Sequence, residues 1–173
     1  MYLSIKELEQ KKIHFDLVYQ AGEVHFEDSK IRQTGPLHAV GTAELLSDTL
    51  GEIRVRGHLD VAMEAECDRC LETSPHSVDT EFDLFYRPSD YEPAKEEVRI
   101  DEGESEIGFY EGGGLELREV LREKILLELP MQTICRETCK GICPVCGANR
   151  NIADCACEVQ RFDERWAALR NLQ

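Results

Sequence analysis

The stretch Ile53-Arg-Val-Arg-Gly-His-Leu-Asp-Val-Ala-Met-Glu-Ala-Glu-Cys67 alternates almost without a break. Ile53, Val55, Leu59, Val61, Met63, Ala65 and Cys67 fall on one side, and Arg54, Arg56, His58, Asp60, Glu64 and Glu66 on the other. Successive side chains of a β-strand point to opposite faces. A period of two over this length therefore means a long strand with one face on a core and one in water. Upstream, Ile13, Phe15, Leu17 and Tyr19 repeat the pattern, as do Leu37, Ala39, Gly41, Ala43 and Leu45. Downstream it returns in Val78, Phe82, Leu84 and Tyr86. Strands following one another through short polar connections predict an antiparallel β meander or small barrel.

Other periods flank this body. Ser4-x-x-Glu7 resembles a capping box for a short helix near residues 5–10. Residues 87–114 carry nine acids against Arg87, Lys95 and Arg99, together with Pro88 and Pro93. That composition predicts a mobile acidic loop, with one short strand near Val98–Ile100 and a hinge at Gly112-Gly113-Gly114. From Glu116 to Glu128 the period becomes helical: Leu117, Val120, Leu121 and Ile125 share a face, and Pro130 ends the run. A last helix is expected over about Asp163–Leu172, docked by Trp166. The expected architecture is α+β, with a β body and helix over 1–130 and a Cys-rich zinc-binding module with a terminal helix over 131–173.

Six of the eight cysteines (Cys135, Cys139, Cys143, Cys146, Cys155 and Cys157) crowd into that last part. The start of the chain has no apolar h-region, so no signal peptide is expected, and no run approaches the roughly 18 apolar residues of a membrane span. A cytosolic chain is the expectation, and there clustered cysteines are metal ligands or redox groups more often than disulfides. Cys143-x-x-Cys146-Gly with Cys155-x-Cys157 supplies four sulfurs for one tetrahedral ion, and zinc is the usual guest of such a set. Cys139 and Cys135 are the alternates. All-sulfur coordination leaves no open position for a substrate, which argues against catalysis by the metal. Cys67-Asp68-Arg69-Cys70 is a second C-x-x-C, and three readings stay open. It could join Cys135 and Cys139 in a second metal site, act as a redox pair, or keep free, partly buried thiols.

The net charge of −15 is unevenly placed. Residues 131–173 hold six Lys/Arg and five Asp/Glu, which leaves residues 1–130 at −16. Such a body repels phosphate and suits a basic partner. In the near-neutral tail, Lys140, Arg150, Arg165 and Arg170 are the candidates for RNA contact, weak at best. There is no Walker loop, dinucleotide fingerprint or Gly-x-Ser-x-Gly elbow, and the histidines are scattered. Neither an enzyme nor a small-molecule substrate is expected. The competing class is a zinc/thiol redox sensor or redox-regulated chaperone, which would shed its metal under mild oxidant.

The chain resembles the YceD family, the large ribosomal RNA subunit accumulation proteins. The residues carrying the resemblance are Glu66-Cys-Asp-Arg-Cys-Leu71, Leu117 to Pro130, Cys135 to Asn151, Cys155-x-Cys157 and Asp163-Glu-Arg-Trp-Ala-Ala-Leu169. Arg150 stands where the family often has an apolar residue, and Glu164 where it often has proline. The resemblance implies a bacterial or plastid factor for 23S rRNA accumulation and large-subunit biogenesis. It would be cytoplasmic or stromal, non-catalytic, and partnered by large-subunit precursors or a basic ribosomal protein.

Overall fold

The structure is a computed structural model and describes residues 1–28, 30–47, 49, 51–89 and 107–157. The alternating stretches become the strands β2 (Ile13–Tyr19), β3 (Ile31–Leu45), β4 (Ile53–Glu66) and β5 (Thr73–Pro88). With β6 (Ile107–Tyr110) they form one sheet in the order β2-β3-β4-β5-β6. The meander, rather than the barrel, is the form adopted. β2–β3 and β3–β4 pair antiparallel, with Ile13 opposite Ala43 and Leu45 opposite Ile53. Pro36 has no N–H for the ladder, and the β3–β4 register shifts between Gln33 and Leu37.

The inward residues are those the alternation names. Phe15, Leu37, Ala39, Ala43, Ile53, Val55, Leu59, Val61, Met63, Val78, Phe82 and Tyr86 lie in one buried cluster. Helix α2 (Leu117–Glu128) adds Leu117, Val120, Leu121 and Ile125 to it, so one face of the sheet is closed by a helix. The other face is charged. Charged pairs run along it: Lys12, just before β2, meets Glu44 at 3.0 Å, Arg54 meets Asp83 at 2.7 Å, and His38 meets Asp16 at 2.9 Å. Gly41 and Gly57 face each other across β3 and β4. A Cβ on Gly57 would lie 2.2 Å from the Val40 carbonyl oxygen, and one on Gly41 would lie 2.7 Å from the Phe15 ring. The strands cross so closely there that only glycine fits.

Some features differ from expectation. The helix after Ser4, α1 (Ile5–Leu8), is a single turn, and the Ser4 side chain makes no capping bond. Tyr2–Ser4 instead forms β1, paired antiparallel with β7 (Gly114–Glu116). The Gly112–Gly114 segment leads into that strand, with Gly114 as its first residue. β6 also falls inside the span read as loop, and it runs parallel to β5, with Phe85 opposite Ile107 and Pro88 opposite Tyr110. The strand expected near Val98–Ile100 and the last helix with Trp166 lie outside the described residues.

The chain divides into two compact units: Met1–Ala65 with Pro75–Met131, and Glu66–Ser74 with the residues from Gln132 on. The tip of the β4–β5 hairpin thus belongs to the cysteine module. Among the described residues no helix is long and apolar enough to cross a membrane.

Candidate metal centres

Two turns of the module share one local design. In Cys67-Asp68-Arg69-Cys70-Leu71 the Leu71 N–H donates to the Cys67 carbonyl at 2.9 Å, and the Cys67 N–H donates to the Glu72 carbonyl at 2.9 Å. In Cys143-Pro144-Val145-Cys146-Gly147 the Gly147 N–H donates to the Cys143 carbonyl, and the Cys143 N–H to the Ala148 carbonyl, both at 2.8 Å. The residue after the second cysteine must turn left-handed: φ is +73° at Gly147 and +62° at Leu71. Glycine does this freely, whereas a leucine costs roughly 1–2 kcal/mol. Leu71 hides the likeness in the sequence, because the glycine that marks the second turn is absent from the first.

These turns bring the thiols into two separate groups. Cys67, Cys70, Cys135 and Cys139 form one, and Cys143, Cys146, Cys155 and Cys157 the other. Within each group the sulfurs lie within 4.8 Å of one another. In the first, Cys67 and Cys139 are 3.9 Å apart and Cys70 and Cys135 are 3.6 Å apart. A tetrahedron with metal–sulfur bonds of about 2.3 Å has edges of about 3.8 Å. The donors are soft, four in number and converge on one point. That fits a closed, tetrahedral metal site, and either group could hold one ion. The first group is enclosed by Ile134, with Cys67 fully buried, whereas Cys146 of the second is exposed.

The local fields prepare some thiols for metal and leave others waiting. Burial opposes ionisation of Cys67, but the N–H groups of Cys135, Cys70 and Arg69 outweigh it and bring the thiol down to about 6. The N–H groups of Cys146 and Val145 do the same for Cys143, which also falls to about 6. The Asn151 amide, whose Nδ2–H donates to the Cys139 sulfur at 3.3 Å, pulls that thiol down. Burial and the surrounding sulfurs push Cys135 up to about 12, and the Cys146 sulfur followed by burial does the same to Cys157. Thiolates crowd each other, and a divalent cation among them removes the repulsion.

The structure thus places Cys143, Cys146, Cys155 and Cys157 in one group, and puts the alternates Cys139 and Cys135 with Cys67 and Cys70 in the other. Lys140 is exposed with its Nζ 3.7 Å from Asp154, and Arg150 is exposed. Arg165 and Arg170 lie outside the described residues. Asn151 is a site residue that sequence reasoning did not single out, since nothing in its spacing points to a sulfur.

Comparison with known proteins matches the sequence to a family. The family described as "Large ribosomal RNA subunit accumulation protein YceD" matches residues 55–173, from β4 through the cysteine module. The chain is 24% identical over 173 residues to the uncharacterized protein YlbN of Bacillus subtilis, covering 97% of this chain and 92% of that one. It is 26% identical over 146 residues to the Arabidopsis thaliana protein named "Large ribosomal RNA subunit accumulation protein YCED homolog 1, chloroplastic". That match takes in 70% of this chain but only 44% of the Arabidopsis protein, so the chain spans less than half of that relative's length. An uncharacterized Mycobacterium tuberculosis protein, Rv2926c, is 29% identical over 118 residues, 68% of this chain and 54% of its own. No solved structure matches. With the match running from the long central strand through both cysteine groups, the chain belongs to the YceD family.

Proposed function

We propose that the chain is a non-catalytic factor for accumulation of 23S rRNA and biogenesis of the large ribosomal subunit. It acts in the cytoplasm through protein contacts, and its module is held by zinc on Cys143, Cys146, Cys155 and Cys157. The observation that carries this reading is the family match over residues 55–173, together with the role in that family's name. Zinc suits the donors: a borderline-soft d¹⁰ ion has no ligand-field demand of its own and takes the tetrahedron that four sulfurs offer, and such a set is closed to substrate.

Charge points to the kind of partner. Residues 1–130 carry −16. A divalent ion held by four thiolates carries a net charge of about −2, so a filled centre does nothing to offset the acidity of the body. Lys140 already faces Asp154. A polyanion is repelled, and a basic ribosomal protein on a large-subunit precursor is attracted. At about 0.15 M salt screening confines this to about 8 Å, so the contact must be direct.

The test is co-sedimentation of the tagged chain from cell extract. It is expected with large-subunit precursors, weakly with a naked 23S fragment, and not with mature small subunits. Replacing Glu96, Glu97, Asp101 and Glu102 by lysine is expected to weaken that association and strengthen binding to bulk RNA. Nanomolar binding of the wild type to the bare fragment in physiological salt, unaffected by the reversal, would count against the proposal.

A further inference from the structure

We infer that Cys67, Cys70, Cys135 and Cys139 form a second zinc centre, and that Asn151, carried on the loop of the tail centre, holds its Cys139 thiolate. The inference concerns metal alone and stands whether or not the ribosomal role does.

The second centre joins segments far apart in the chain. Cys67 and Cys70 come from the β4–β5 tip, and Cys135 and Cys139 from the segment after α2. The Asp68 N–H donates to the Thr133 carbonyl at 2.8 Å, and the Thr133 N–H to the Asp68 carboxylate at 2.8 Å. The Ile142 N–H donates to the Arg69 carbonyl at 2.8 Å. These bonds hold the hairpin tip beside the segment after α2, where the four sulfurs meet. The cluster is better enclosed than the tail group: Cys67, Cys70 and Cys139 are buried, against Cys143 alone in the tail.

Asn151 connects the two centres. It lies between Cys146 and Cys155, two ligands of the tail group. Its Oδ1 accepts the Lys140 N–H at 2.8 Å, and an oxygen is required there because the partner is a donor. Its Nδ2 is therefore fixed toward the Cys139 sulfur, 3.3 Å away. Its own N–H donates to the Asn149 side chain at 2.9 Å, which pins the loop. The loop closed by one ion thus supplies an outer-shell donor to a ligand of the other. Outer-shell partners orient ligands, and their loss typically costs about 10–100-fold in metal affinity. An ion at the tail centre should therefore slow release from the enclosed one.

The test counts ions by native mass spectrometry on reduced protein loaded with zinc, and follows transfer to a chromogenic chelator. The wild type is expected to hold two ions. Cys70→Ser/Cys135→Ser should hold one, and Cys143→Ser/Cys146→Ser should hold one that leaves faster. Asn151→Asp keeps all eight thiols but sets an oxygen against the Cys139 sulfur. It should bind two ions and release one about 10–100-fold faster, leaving the other rate unchanged. With cobalt in place of zinc, only one of the two sulfur-to-metal absorption envelopes should shift. A single ion in the wild type, or an unchanged ion count in Cys70→Ser/Cys135→Ser, would overturn the second centre. Unaltered release from Asn151→Asp would overturn the link.

Discussion

Stripping metal from the reduced chain should melt the cysteine module and leave the sheet standing. The N–H groups of Cys67, Asp68, Leu71, Ile142, Cys143, Gly147 and Arg150 are bonded to backbone within the module. These amides should lose protection from hydrogen exchange once a strong chelator is added. Amides of β2, β3 and the first part of β4 should keep theirs. Among the described residues, the module's apolar cluster holds Cys67, Cys70 and Cys139, with Ile134 and Cys135 packed against it. Structural zinc contributes about 10–16 kcal/mol in peptides of this kind, far more than such a cluster can supply. Equal loss across strands and module would show one cooperative unit. Unchanged protection in the module would show that metal does not hold it.

Leu121→Ala should do the reverse. Leu121 is fully buried on the inner face of α2 and belongs to the cluster that closes the sheet. Removing its side chain loses transfer free energy and leaves a cavity, costing about 2–5 kcal/mol. The urea midpoint of the β body should fall accordingly, while the zinc content per chain stays as in the wild type. A stability change under about 0.5 kcal/mol, the level of an ordinary surface substitution, would show that α2 does not seal this core. Together the two perturbations separate the forces that hold the two units.

The body was legible because its information is local. In Ile53–Cys67 each inward residue is named by parity alone, and the same holds for Phe15, Leu37, Ala39 and Phe82. Helix α2 was legible through Leu117, Val120, Leu121 and Ile125. What escaped was pairing. Nothing near Tyr2 announces that it will face Glu116, and a three-residue strand carries no period. β6 was hidden for the same reason, since a parallel neighbour is chosen by the path of the chain and not by its own four residues.

The site divides in the same way. The group Cys143, Cys146, Cys155 and Cys157 is compact in sequence, so spacing alone suggested it. Cys67 also satisfies strand parity, and burial of a small apolar side chain was as good an account of it as metal binding. Only the fold brings its sulfur 3.9 Å from Cys139, 72 residues away. Leu71 conceals the turn that Gly147 advertises, and Asn151 acts through a bond that no motif encodes.

The ratio of 23S to 16S rRNA in cells of the source organism tests most directly whether the cysteine module serves the large subunit. Cells lacking the chain should show a lowered ratio, restored by the wild type but not by a chain carrying both Cys70→Ser and Cys146→Ser at matched abundance. A ratio unchanged by loss of the chain would contradict the role. Full restoration by the doubly substituted chain would contradict its dependence on the cysteine module.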